Sequence, residues 1–101
     1  MAIAVMLHPT TQGLREVGFK FDGRRIAQAR SVTLVGAFNR WDASGHRLTL
    51  QANQWWTISL TLAPGRYPYL FLVDGVPWND PQDDGRAPCE WGGSYSLRVV
   101  H

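Results

Sequence analysis

The 101-residue chain has one cysteine, one lysine, and no apolar run near the roughly 20 residues that a membrane-crossing helix needs. Cys89 alone allows no internal disulfide, so the fold is expected to rest on apolar burial in a reducing, cytoplasmic setting. The short apolar run from Ala2 to Leu7 has no basic residue before it and falls well short of a signal sequence. Ten basic residues against eight acidic ones leave a net charge of +2, and only Arg24 and Arg25 are adjacent among the arginines. Phosphate tracking needs clustered cations, so neither a nucleic-acid nor a membrane partner is expected. His8, His46 and His101 have no metal-ligand spacing with one another or with Cys89, and no phosphate loop, dinucleotide fingerprint or nucleophile elbow occurs. The late carboxylates have other work: Asp74 precedes Gly75 and Asp80 precedes Pro81 as turn residues, and Asp83-Asp84 sit in a solvated loop. No enzyme activity, catalytic residue, metal or cofactor is expected.

Ten glycines and six prolines divide the chain into short runs whose apolar residues recur every second position. That period belongs to strands, and no segment calls for a helix longer than a turn. Val17, Phe19 and Phe21 share one face of a first strand, and Ser31 to Phe38 is a continuous apolar strand. Leu48 and Leu50 flank Thr49 in a third. Trp56, Ile58, Leu60 and Leu62 point one way while Thr57, Ser59 and Thr61 point the other, up to the Pro64-Gly65 turn. Tyr67, Tyr69, Phe71 and Val73 form the next inward row, ended by Asp74-Gly75, a dipeptide suited to tight hairpins. Val76 to Trp78 and Ser94 to Val100 complete six or seven strands, with an irregular stretch from Asp80-Pro81 to Gly92-Gly93 between them. The pattern predicts an all-β, immunoglobulin-like β-sandwich in a single domain over residues 16–101, preceded by an extension, residues 1–15, that is a candidate added strand.

Five tryptophans are many for one small core. Trp56 lies on an inward row, but Trp41 and Trp78 fall at loop positions. There an uncovered indole invites a stacking ligand such as the C–H face of a sugar ring.

The segments Val32-Thr33-Leu34-Val35-Gly36-Ala37-Phe38-Asn39-Arg40-Trp41, Leu60-Thr61-Leu62-Ala63-Pro64-Gly65, Tyr67-Pro68-Tyr69-Leu70-Phe71-Leu72-Val73-Asp74-Gly75, Trp78-Asn79-Asp80-Pro81 and Gly92-Gly93-Ser94-Tyr95-Ser96 carry a resemblance. In that order and spacing the chain resembles the family 48 carbohydrate-binding modules. These occur beside the catalytic domains of starch-branching and debranching enzymes and in the β subunit of AMP-activated protein kinase. The resemblance implies an early-set immunoglobulin-like sandwich. It also implies an α-1,4-glucan partner of the glycogen or starch type, held by two tryptophans, a basic residue and an asparagine. Trp41 and Trp78 match the tryptophans, Leu70 stands where the basic residue falls, and Tyr95 stands near the asparagine's place. Tyr95, Asn39 and Arg40 are the candidate polar or edge contacts.

One face runs against the alternation. Pro68, Leu70 and Leu72 occupy positions where a solvated strand would carry polar side chains, and Trp55 is out of phase with its own inward row. These four form a candidate interaction face, covered either by the Ala2 to Leu7 run or by a second copy of the chain. The expected role is a non-catalytic glucan-binding module that tethers a carbohydrate-active enzyme partner or forms a homodimer. The alternative is a protein-interaction or self-association domain that keeps the fold without the sugar.

Overall fold

The computed structural model describes residues 13–90 and 92–101, so the Ala2 to Leu7 run and Trp91 lie outside the described residues. Among the described residues the alternating pattern becomes nine strands: β1 (Arg15–Asp22), β2 (Val32–Gly36), β3 (His46–Arg47), β4 (Thr49–Leu50), β5 (Trp55–Leu62), β6 (Gly65–Val73), β7 (Val76–Trp78), β8 (Arg86–Pro88) and β9 (Ser94–Val100). The only helical turns among the described residues are two short 3-10 turns, at Gly23–Ile26 and Ala37–Asn39. A smaller sheet has the order β1-β5-β4, and a larger one has the order β3-β2-β6-β9-β8 with β7 also paired to β6. Packed face to face, the sheets form the expected all-β sandwich.

The inward rows make the core. Val17, Phe19 and Phe21 of β1 are buried, and β1 runs antiparallel to β5 from Arg15 opposite Leu62 to Asp22 opposite Trp55. Phe19 meets Tyr69 of the other sheet edge-on at 5.0 Å, and Phe21 meets Phe71 at 5.4 Å. Such tilted contacts between rings add to the area they bury.

The structure departs from the predicted strands in three places. The run expected from Ser31 to Phe38 stops as a strand at Gly36, because the Gly36 N–H donates to Asn39 Oδ1 and a 3-10 turn follows. The strand expected around Leu48, Thr49 and Leu50 is divided between the two sheets. His46 pairs with Leu34 in the larger sheet and Thr49 with Thr57 in the smaller, while buried Leu48 crosses between them and donates its N–H to Val32 O. The stretch expected to be irregular contains β8, an edge strand on which Pro88, lacking an N–H, is tolerated.

Two features position the outer side of the larger sheet. Asp74 and Gly75 have φ of 50° and 83°, the left-handed pair of a two-residue hairpin turn. That turn sets Val73 opposite Val76, Leu72 opposite Pro77 and Phe71 opposite Trp78. Beside the same flank of β6, β9 pairs with residues 65–69, so β7 and β9 meet end to end next to Leu70. A buried polar knot ties that junction. Tyr69 Oη donates to Asp80 Oδ2 at 2.6 Å, the Asp80 N–H donates to Ser96 Oγ at 2.9 Å, and Asn79 Nδ2 donates to Ser94 O at 2.8 Å. Burial and the Asp80 carboxylate push the Tyr69 phenol well above its usual pKa, so it remains a donor.

Candidate functional site

On the larger sheet the outward positions follow from the register. Val35 lies opposite Leu70, Thr33 opposite Leu72, and Ala87 opposite Tyr95. Because Tyr69 pairs with inward Ser96, Tyr95 is the outward neighbour one step along, level with Leu70. Val35, Leu70, Tyr95 and Ala87 therefore form one cross-sheet row, apolar except for a single phenol.

Trp41 closes over this row. Asn39 Oδ1 accepts from the Gly36 N–H at 3.0 Å while Asn39 Nδ2 donates to Leu34 O at 2.9 Å, and the Trp41 N–H returns to Gly36 O at 3.0 Å. Arg40 and Trp41 both hold left-handed backbone, at φ of 56° and 60°. That conformation is unfavourable for side chains of this kind and needs outside support. The loop it builds lays the Trp41 indole on the Tyr95 ring, with centroids 4.6 Å apart and planes inclined by 36°. Trp41 keeps 37% of its surface exposed.

Beside the pair, a groove of about 320 Å³ runs along the β7–β9 junction, lined by Leu70, Pro77, Asn79, Cys89, Ser94 and Tyr95. Gly92 and Gly93, at φ of 90° and 74°, form part of its wall without side chains to fill it. The Cys89 thiol beside Tyr95 raises that phenol's pKa, so Tyr95 keeps its O–H as a donor across the neutral range. An indole stacked on a phenol, an apolar floor and a few polar groups at the rim suit a ring with apolar faces and hydroxyl edges.

The structure brings Trp41, Tyr95 and Leu70 together, and it separates the other expected residues from them. Trp78 stands opposite inward Phe71, and its ring packs edge-on against Phe21 at 6.1 Å. It fills the edge of the core, on the opposite side of the sheet from Trp41, and the outward β7 position beside Leu72 belongs to Pro77. Asn39 has both amide hydrogens engaged, one with Leu34 O and one with His46 Nδ1, so it braces the loop and has no donor left for a ligand. Arg40 is exposed next to Trp41 at the rim. The four-residue interaction face divides as well. Pro68, Leu70 and Leu72 lie half-buried on the outside of the larger sheet, whereas Trp55 is outward on the smaller one, with Lys20 Nζ 5.1 Å above its ring. Pro77 and Val35 are the site residues that sequence reasoning missed. The hairpin dipeptide carried the signal, since counting out from Asp74-Gly75 places Pro77 opposite Leu72.

Comparison with known proteins gives three findings. The family described as the glycogen recognition site of AMP-activated protein kinase matches residues 17–86, which include Asn39, Arg40, Trp41, Leu70 and Trp78 and stop short of Tyr95. The rice (Oryza sativa subsp. japonica) Protein FLOURY ENDOSPERM 6, chloroplastic, is 42% identical over 53 residues, which is 52% of this chain and 10% of that protein. A maltogenic amylase from S. marinus superposes with a TM-score of 0.68 at 21% identity, over 85% of this chain and 13% of its own, a likeness of fold alone. The chain thus spans a small part of the length of either relative.

Proposed function

This chain belongs to the family of the AMP-activated protein kinase glycogen recognition site, a carbohydrate-binding and non-catalytic kind of domain, and from that premise we propose that it binds α-1,4-glucan on the outside of its larger sheet. The Trp41–Tyr95 pair is the stacking surface, Leu70 and Pro77 are the apolar floor, and Arg40 and the Tyr95 O–H are rim contacts for sugar hydroxyls. The observation that carries this reading is the 4.6 Å aromatic pair laid over an apolar row. With stacking and few charged hydrogen bonds, the dissociation constant is expected at roughly 10 to 1,000 μM. The module acts by tethering, since it raises the effective concentration of a carbohydrate-active enzyme, or of a second copy, on a polymer.

Affinity electrophoresis in gels with and without glycogen tests this. Retardation of the wild-type protein is expected, with about a tenfold weaker effect in Trp41→Ala and in Tyr95→Ala. Trp55→Ala, on the other sheet, should move like wild type. Equal mobility of all four proteins would end the glucan reading. A specific observation, the half-buried Pro68, Leu70 and Leu72 beside exposed Pro77, would then favour a protein-interaction or self-association surface on the same face.

A further inference from the structure

The histidine behind the Trp41 loop is held in one defined state. His46 Nδ1 lies 2.8 Å from Asn39 Nδ2. The orientation of that amide is fixed independently, because Oδ1 accepts from the Gly36 N–H and Nδ2 donates to Leu34 O. The second hydrogen on Nδ2 therefore faces His46 Nδ1, which must accept it. His46 is then neutral, with its own hydrogen on Nε2. Protonation would place a hydrogen on Nδ1 and set two donors against each other.

The surroundings of His46 are sparse in charge. β2 and the Ala37–Asn39 turn, which pack against it, present no titratable side chain, and the Phe38 ring meets the imidazole edge-on at 6.3 Å. The 40–45 loop contributes Arg40 and Asp42, and Arg47 follows His46 on the outward side. The Asp42 carboxylate is held below its usual pKa mainly by hydrogen bonds from Ser44, and a positive charge on His46 would favour its ionised form further. A protonated His46 would be drawn toward Asp42 and away from Asn39. Asn39 braces the left-handed backbone of Arg40 and Trp41 through three bonds, and losing the one to His46 while those to Gly36 and Leu34 remain weakens that brace and lets Trp41 shift on Tyr95.

We propose that Asn39 and His46 are positioning residues for Trp41, and that the outer face takes up glucan only while His46 is neutral. The second half rests on the glucan reading above; the first does not.

Two readouts on the whole chain separate them. The His46 ring and the Trp41 indole, assigned with Trp41→Phe, are followed by NMR from pH 8 to pH 5 without sugar, and maltoheptaose affinity is measured at both ends. In the wild-type protein the Trp41 signal should move together with His46 protonation, and affinity should fall about tenfold as the brace weakens. His46→Asn sets an amide oxygen at the place of Nδ1 and does not titrate, so its Trp41 signal and its affinity should be the same at both pH values. His46→Leu has no acceptor, so at pH 8 it should already show the displaced Trp41 signal and the weak affinity. A Trp41 signal that ignores His46 protonation, a pH-dependent fall that survives in His46→Asn, or a wild-type-like Trp41 in His46→Leu would overturn the positioning role. A Trp41 signal that follows His46 in a protein that binds no maltoheptaose at pH 8 would support that role and overturn the glucan reading.

Discussion

The two outer surfaces of the sandwich are built by the same period-two rule and come out opposite in character. On the smaller sheet the outward residues include Glu16, Gly18 and Lys20 of β1 with Thr57, Ser59 and Thr61 of β5, and the aromatic Trp55 lies under the Lys20 ammonium. On the larger sheet Arg47 and Arg66 are also outward, but between them lie Thr33, Val35, Pro68, Leu70, Leu72, Pro77 and Tyr95, with Trp41 laid on top. A sheet face in water needs no apolar row, and the first surface follows that rule. The second breaks it around a stacked aromatic pair, and a departure from local consistency of this kind is where function is sought.

The larger sheet also carries a buried polar knot, and breaking it should have the largest effect. Tyr69→Phe removes the donor to Asp80 Oδ2 beneath the β7–β9 junction and leaves a buried carboxylate oxygen unpartnered. The variant should lose about 1–3 kcal/mol in urea unfolding. The sign of its pH dependence is fixed too. The folded state holds the Tyr69 proton above the ordinary phenol value of 10.0. The stability linked to it is complete below that pH and declines as pH rises past it. In Tyr69→Phe that alkaline decline should shrink, as urea titrations at pH 8 and pH 11 would show.

Trp78 sharpens the contrast from the inside. Because it packs on Phe21 at the core edge and is 37% exposed, Trp78→Ala should cost about 1–2 kcal/mol of stability. Its glycogen retardation should stay within about twofold of wild type, a shift worth under half a kcal/mol. A loss of retardation as large as that of Trp41→Ala, in a folded variant, would place the binding surface at the core edge instead.

Much of this arrangement is legible in the chain, and the illegible parts have physical causes. The alternation in β1, β5 and β6 reports burial on one side, so the sandwich and its core rings follow from it. The side of the sheet taken by Trp78 is also legible, because Asp74-Gly75 is a two-residue turn and a two-residue turn leaves only one register. Counting from it pairs Trp78 with Phe71. The return of Trp41 across β6 to Tyr95 is not legible. It needs two consecutive non-glycine residues in left-handed backbone, which local preference argues against and which the bonds of Asn39 to β2 and β3, together with that of the Trp41 N–H to Gly36 O, sustain. The crossing of Leu48 between sheets is hidden for a simpler reason. The period of two continues through it while the pairing partner changes.

Leu70 tests whether the contrast between the surfaces extends to chemistry at its centre. It sits in the apolar row between Val35 and Tyr95, where the resemblance to family 48 modules implies a basic residue. An aliphatic side chain there offers contact area but no donor. In Leu70→Lys the four-carbon stem can lie along the same row while the ammonium reaches the rim, so the floor is largely kept and a donor is added. One exposed hydrogen bond to a neutral hydroxyl is worth little net, so maltoheptaose affinity should rise only about threefold, readable by tryptophan fluorescence titration. The increase should vanish when Leu70→Lys is combined with Trp41→Ala, because a donor beside an unstacked ring has nothing holding the sugar in reach. A gain that survives the loss of Trp41 would mean that the added charge, and not the aromatic surface, recruits the ligand.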